Sequence, residues 1–168
     1  DVIASIVSIG AATWNDPTMC APSAPLHVLH IHGDQDVWVK YGGGLEVGGN
    51  PYPRVSNTVG YWAGYNGCAV APTNGNTPLD LDVLVPGAET AVVHFEDGCQ
   101  PGGSVELWRM QDANHFPVWQ PAFAPLFTEW ILAHSKPGTW TDIGNDLGGT
   151  YGPPVLQPSG TACSGTIV

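Results

Sequence analysis

The chain has 168 residues and is strongly acidic, with 15 aspartate and glutamate residues against 4 lysine and arginine residues and a formal charge of -11. This length predicts one domain with a real core, and the charge excludes a polyanion such as nucleic acid as a favoured partner. No apolar run approaches the roughly 20 residues that span a bilayer, and residues 1–4 lack signal-peptide features. We therefore expect a soluble chain with no membrane contact, whose targeting peptide is gone or was never included.

Two apolar segments rich in β-branched residues predict strands in the first part of the chain. They are "VIASIVSIG" at 2–10 and "PLHVLHIHG" at 25–33. Neither segment alternates between apolar and polar residues, which is typical of strands buried on both faces of a parallel sheet. Two further strands are predicted at "TAVVHFED" and "SVELWRM", on either side of the glycine-rich turn "GCQPGG".

Apolar side chains at helical spacing predict two helices. The first covers 54–67 and ends at Gly67, and the second covers 121–135 with Pro121 in its first turn. The predicted apolar faces consist of Val55, Val59, Trp62 and Ala63 in the first helix and of Phe123, Phe127, Trp130 and Ile131 in the second. Strands and helices in this order indicate an α/β fold with a mostly parallel sheet and flanking helices.

A change in composition divides the chain in two. Residues 1–135 carry the predicted strands and helices, whereas 136–168 consist largely of glycine, proline, threonine and serine. Such a segment cannot build much core of its own, so we expect an irregular tail or linker after the α/β domain.

The four cysteines, with 22 glycines, 16 prolines and few charges, favour a secreted protein. Cys68 in "GYNGCA" and Cys99 in "EDGCQPGG" both follow glycine-rich turns, and neither has the paired spacing of a zinc site. We predict a disulfide between them. Two alternatives remain for Cys20, which are pairing with Cys163 and a partner outside the chain.

The segment "HIHGDQDVWV" carries the first candidate catalytic residues. Asp34 and Asp36 follow the strand that ends at Gly33, and His115 follows the strand "VELWRM". Open α/β sheets place their active sites at the carboxyl ends of the strands. A carboxylate and an imidazole in these positions are what the acid and the base of a nucleophilic triad require.

At these residues the chain resembles a known family. "VLHIHGDQDVWVKYGG" is similar to the H-G-x-x-D-x-x-V loop of secreted α/β-hydrolases of the polyhydroxybutyrate depolymerase and feruloyl esterase group. "GCQPGGSVELWRMQDANHFPVW" resembles their strand and histidine segment, and "YWAGYNGCA" the helix after the aspartate loop. The resemblance covers about 2–134. It implies a partial α/β-hydrolase fold, with Asp36 as triad acid, His115 as base and Asp34 as a loop residue.

The chain departs from that family at the nucleophile. It has no G-x-S-x-G motif, and Ser104, Ser159 and Ser164 lack the strand-turn-helix context that the motif needs. The usual upstream oxyanion loop is also missing. We therefore expect the chain to correspond to the carboxyl half of a hydrolase, with the nucleophilic serine in a missing amino-terminal half and little activity in this chain alone.

Several other side chains have two interpretations. His30 and His32 point to the same side of a strand and could bind zinc or copper, although the resemblance gives His32 a loop-bracing role, so we expect no metal and no cofactor. His94 and His134 are expected to be structural. Four aromatic residues form either an acyl-binding surface or core, namely Trp38, Trp62, Phe116 and Trp119.

Three functions therefore compete. The first is an extracellular carboxylic-ester hydrolase that acts on an ester, polyester or plant polymer, with Asp36 and His115 as acid and base. The second is a non-catalytic hydrolase-like domain that associates with a polymer or carbohydrate. The third is a small metalloprotein built on His30 and His32.

Overall fold

The computed structural model describes residues 3–20, 22–69, 71–75 and 77–135. The predicted tail, with Ser159, Cys163 and Ser164, lies outside these residues. The strands are β1 (Ser5–Ile9), β2 (His27–Gly33), β3 (Gly44–Leu45), β4 (Pro51–Tyr52), β5 (Thr73–Asn74), β6 (Thr90–Phe95) and β7 (Ser104–Met110). The helices are α1 (Val55–Tyr65), α2 (Phe123–Ala133) and a 3-10 turn at Pro17–Met19. Neither α-helix in the described part of the chain has the length and apolar character to cross a membrane.

The main sheet is mixed, with two parallel and two antiparallel strand pairings. Its five strands lie in the order β1-β2-β7-β6-β5. β1 and β2 are parallel, as are β2 and β7, whereas β6 is antiparallel to both β7 and β5. The reason is the short connection 96–103 between β6 and β7, since a parallel pair needs a crossover of about a dozen residues or more. The α/β class is confirmed.

The first predicted strand is an edge strand rather than a central one. Among the described strands β1 pairs with β2 alone, and its five residues are half-buried except Ile9, which is exposed. β2 lies between β1 and β7 and is almost completely buried. An apolar run without alternation does not distinguish these two positions, so the expectation that 2–10 is buried on both faces is wrong.

The core lies on both faces of the sheet. One apolar cluster contains Val55, Val59 and Ala63 of α1, packed against residues of β2 and β7 that include Val28 and Val105. The other cluster contains Leu29, Ile31, Trp108, Met110 and, from α2, Trp130. In α2 the inward face includes Leu126, whereas the predicted Ile131 is exposed.

The predicted disulfide between Cys68 and Cys99 is confirmed. It joins the segment after α1 to the turn between β6 and β7. Gly67 has a φ of +70°, a conformation that favours glycine at the end of a helix, and the last helical residue is Tyr65. The bridge therefore holds α1 to the far half of the sheet.

Candidate active site

The loops that follow β2 and β7 are held together at the carboxyl ends of two parallel strands. Gly33 is aligned with Met110 in the sheet register, and the backbone N–H of Gln35 donates to the carbonyl of Ala113 at 3.0 Å. A Cβ at Gly33 would lie 2.3 Å from that same carbonyl oxygen. Only glycine therefore allows the two loops to approach this closely.

Asp36 and His115 lie within hydrogen-bond distance, as the sequence predicts. The Nδ1 atom of His115 is 2.7 Å from Oδ2 of Asp36, whose side chain is fully buried. The other carboxylate oxygen accepts the backbone N–H groups of Trp38 at 2.8 Å and Val39 at 2.9 Å. Because a carboxylate is an acceptor, Nδ1 carries the proton and Nε2 of a neutral His115 ring is left with a lone pair. None of the described residues hydrogen-bonds that Nε2 atom.

Behind this pair lies a chain of two buried histidines. The Nε2 atom of His32 is 2.7 Å from the carbonyl of Val39 and 3.3 Å from Oδ2 of Asp36. Both of these partners are acceptors, so Nε2 of His32 carries the proton. Nδ1 of the neutral His32 ring therefore accepts a hydrogen bond from Nε2 of His30 at 3.0 Å. His32 therefore braces the Asp36 carboxylate and the loop that carries it.

Burial keeps both histidines neutral. It lowers the pKa of His30 to about 3, with a smaller contribution from the neighbouring His32. Burial also lowers the pKa of His32. The two rings are hydrogen-bonded to each other. The described residues place no third metal-binding side chain close to the nitrogen atoms of both rings. The geometry thus offers no support for a metal site built on His30 and His32.

Asp34 has a larger structural role than that of an ordinary loop residue. Its carboxylate accepts Nη2 of Arg109 at 2.8 Å and the backbone N–H of Asp112 at 2.9 Å. The hydrogen bonds that the Arg109 guanidinium donates to Asp34 raise the pKa of Arg109. Asp34 therefore fastens the aspartate loop to the end of β7. The 75 positions that separate it from Arg109 leave no local signal of this ion pair in the sequence.

The four predicted aromatic residues lie in different environments. Trp38 and Phe116 are 69% and 73% exposed, with ring centroids 6.4 Å apart, and Phe116 contacts His115 edge-on at 4.6 Å. Trp119 lines the cleft beside His115 and stacks on a phenylalanine of α2. Trp62 packs against the α1 side of the core and does not line this cleft.

A small cleft opens beside the His115 ring, and no serine of the described part of the chain lines it. Its walls consist of Ile9, Gly10, Ile31, His32, Gly33, Asp36, Met110, Asn114, His115, Pro117 and Trp119. Ser104 lies at the opposite end of β7, where its hydroxyl is 2.7 Å from Nδ1 of His27. The described residues thus bring an acid and a base together without a serine nucleophile.

A comparison with protein-family models finds none that matches this chain, and a search of curated proteins finds no match either.

Proposed function

We propose that the chain belongs to an extracellular carboxylic-ester hydrolase, similar to polyhydroxybutyrate depolymerases and feruloyl esterases, with a partial α/β-hydrolase fold. Asp36 is the acid and His115 the base of its Ser-His-Asp triad. The observation that carries the proposal is the 2.7 Å contact between Nδ1 of His115 and the buried Asp36 carboxylate at the ends of two parallel strands.

The chemistry follows from the tautomer of His115. Its Nε2 atom removes the proton of a serine hydroxyl as the oxygen attacks the ester carbonyl carbon. The tetrahedral intermediate expels the alcohol, which takes the proton from Nε2 and leaves an acyl-serine. A water molecule then attacks with Nε2 again as base, and the carboxylic acid and the serine are released. Asp36 holds the ring and stabilises the imidazolium in both steps.

The nucleophile in this proposal comes from a strand-turn-helix segment other than the described residues, supplied by more of the same chain or by a second chain. Two features support that arrangement. Nε2 of His115 is the ring atom without a hydrogen-bond partner in the described part of the chain, and the cleft beside it contains no serine there. The oxyanion donors must arrive with the same segment.

Trp38 and Phe116 form an apolar surface next to the base, and we assign them to contacts with the acyl group or polymer. Both rings are largely exposed, and the Phe116 ring touches the His115 imidazole. Exposed aromatic surface beside a candidate catalytic group is typical of a binding site. The Cys68–Cys99 disulfide is consistent with the extracellular location.

Hydrolysis of a p-nitrophenyl ester and of a feruloyl ester tests the proposal. We expect little turnover by this chain alone, because loss of a triad nucleophile removes several orders of magnitude of rate. Turnover should appear when a polypeptide with a G-x-S-x-G turn is added and disappear with His115→Ala. A serine-directed phosphonate should label the added polypeptide. Turnover by this chain alone that the phosphonate blocks would instead place the nucleophile within the 168 residues.

The second candidate is a non-catalytic, hydrolase-like domain that associates with a polymer or carbohydrate. The observation that favours it is the cleft, which no serine of the described residues lines, together with the exposed pair Trp38 and Phe116. Adsorption to a polyester or polysaccharide surface that is lost in Trp38→Ala but unchanged in His115→Ala would favour this candidate, provided that no added serine segment restores hydrolysis.

A further inference from the structure

A second group of ionisable side chains lies in the sheet away from His115. His94 of β6 is paired directly with Glu106 of β7, and Glu96 follows His94 by two positions and extends to the same face. Glu106 is aligned in turn with Leu29, four residues before Gly33 on β2. At about 3.3 Å per residue, this group lies roughly 13 Å along the strands from the end that carries the aspartate loop.

The imidazole nitrogen of this group lies between two carboxylates. Nδ1 of His94 is 3.2 Å from Oε1 of Glu96 and 3.4 Å from Oε2 of Glu106. One donor atom from each of the three residues lies within 4.8 Å of the others. Zinc binds nitrogen and carboxylate oxygen at about 2.0–2.2 Å in tetrahedral geometry, which separates neighbouring ligand atoms by roughly 3.3 Å. The two separations measured from Nδ1 match that spacing.

The lack of a hydrogen bond at Nδ1 of His94 supports coordination over a simple hydrogen bond. Nδ1 is buried, yet it makes no hydrogen bond of acceptable geometry with either carboxylate or with any other described residue. A ring nitrogen that donated to one carboxylate would point at its oxygen. A nitrogen that coordinates a cation instead points at the ion, which lies between the oxygens. Such a nitrogen therefore makes no hydrogen bond to either carboxylate.

Glu106 is held in place by the residues behind it. Its Oε1 accepts the indole N–H of Trp108 at 2.5 Å, and its Oε2 accepts that of Trp130 at 2.9 Å. Each carboxylate oxygen has a second lone pair for a cation. Outer hydrogen bonds of this kind orient metal ligands and fix their geometry. Here they also connect the group in β6 and β7 to Trp130 of α2.

We propose that His94, Glu96 and Glu106 bind one divalent cation of the zinc class. Solvent completes the coordination at the open side, where the Glu96 side chain is 61% exposed and leaves a path for the ion. The negative charge of the chain favours a cation. The ion joins β6, β7 and, through Glu106 and Trp130, α2. It stabilises the fold and takes no part in the proposed ester hydrolysis. Under this proposal His94 is a ligand, in place of the structural role that the sequence predicts for it.

Calorimetric titration of ZnCl2 into the untagged, chelator-treated chain tests this site. We expect one zinc ion per chain and a higher Tm with zinc. His94→Gln and Glu96→Gln should each weaken zinc binding about tenfold or more. Glu129→Gln removes an exposed carboxylate of α2 outside the group and should leave the affinity unchanged. Because Glu96 is exposed, its variant decides the matter even if His94→Gln does not fold.

Cobalt provides a second measurement, whose signal depends on where the ion binds. Co²⁺ bound to Glu106 lies next to the Trp108 and Trp130 indoles and should quench tryptophan fluorescence in the wild type and in Glu129→Gln, but not in Glu96→Gln. Zinc that binds Glu96→Gln and His94→Gln as tightly as it binds the wild type lies elsewhere on the chain and overturns the proposal. So does the lack of any binding at millimolar zinc. None of these results depends on hydrolysis.

Discussion

Gly10 lies directly against the imidazole of His115. A Cβ at Gly10 would be 3.1 Å from both Cε1 and Nδ1 of the His115 ring and 3.6 Å from Oδ2 of Asp36. The backbone N–H of Gly10 donates to the carbonyl of Ile31 at 2.9 Å, which continues the pairing of β1 with β2. Gly10, at the end of the edge strand β1, therefore contacts the ring of the proposed base, His115.

Gly10→Ala should displace the His115 ring from Asp36. The φ of Gly10 is +58°, so alanine costs about 1–2 kcal/mol for the left-handed backbone alone. The methyl group then meets the ring at a distance tighter than ordinary van der Waals contact. We expect a larger loss in the free energy of unfolding than the backbone cost. We also expect a shifted or absent NMR signal of the His115 Nδ1–H proton.

Gly87→Ala is the matched control for this variant. Its φ is +86°, but no atom of the described residues beyond its chain neighbours lies within 4 Å of the added Cβ. It should lose stability through the backbone alone and keep the His115 proton signal. An unchanged signal in Gly10→Ala would show that the ring does not depend on this contact.

Gly33→Ala should be far more damaging than a glycine substitution in a helix. The added Cβ would overlap the Ala113 carbonyl at 2.3 Å, and that oxygen belongs to backbone that cannot rotate away. We expect a loss of about 3 kcal/mol or more in the free energy of unfolding. Gly60→Ala in α1 has open space around its Cβ and should gain about 0.5–1 kcal/mol. Urea denaturation measures both, and similar values for the two variants would contradict the loop contact.

Replacing both Cys68 and Cys99 with serine should destabilise the chain by about 3–4 kcal/mol, because the bridge closes a loop across 31 positions. The loss follows mainly from the greater freedom of the unfolded chain. Urea denaturation of the oxidised wild type and the double variant measures it. Alkylation before and after reduction, followed by mass measurement, verifies the bridge. Free thiols at both positions in oxidised protein would refute it.

The contact between Asp36 and His115 could be predicted because it follows from a general property of parallel strands. Both residues come a few positions after apolar segments, and the carboxyl ends of adjacent parallel strands meet at one edge. β2 and β7 are adjacent although their candidate residues are 79 positions apart. The disulfide was predictable for a different reason, since both cysteines belong to glycine-rich turns and lack the paired spacing of a zinc site.

Other features depend on partners that no local pattern identifies. β1 is an edge strand because no described strand pairs with its outer side, and an apolar run in the sequence cannot reveal this. The ion pair of Asp34 with Arg109 and the indole contacts of Glu106 join side chains of different elements. Trp62 and Trp38 are the same residue type, but the packing of α1 on the sheet half-buries Trp62 against the core, whereas Trp38 is exposed.

The stability of the chain should fall below neutral pH partly through His30. Burial lowers its folded-state pKa to about 3, whereas the unfolded chain binds a proton near pH 6.5. When the pKa of a group is lower in the folded chain than in the unfolded chain, folding is most stable at pH values above the unfolded-chain pKa. That stability is lost as the pH falls from about 6.5 towards 3, by up to about 1.4 kcal/mol per pH unit. His32, whose pKa burial also lowers, adds to the loss in the same direction.

His30→Gln isolates this contribution. Glutamine does not titrate, and its amide N–H can replace the Nε2–H that His30 donates to Nδ1 of His32. The free energies of unfolding of the wild type and the variant should differ by a constant amount above about pH 7.5. Towards pH 5 the wild type should lose about 2 kcal/mol relative to the variant, because only the wild type must keep a neutral imidazole at position 30 in the folded core. Urea denaturation at pH 8, 6 and 5, monitored by tryptophan fluorescence, measures the difference. If the difference is the same at pH 8 and pH 5, then His30 binds its proton equally well in the folded and unfolded chain, and the buried histidine pair does not limit stability in acid.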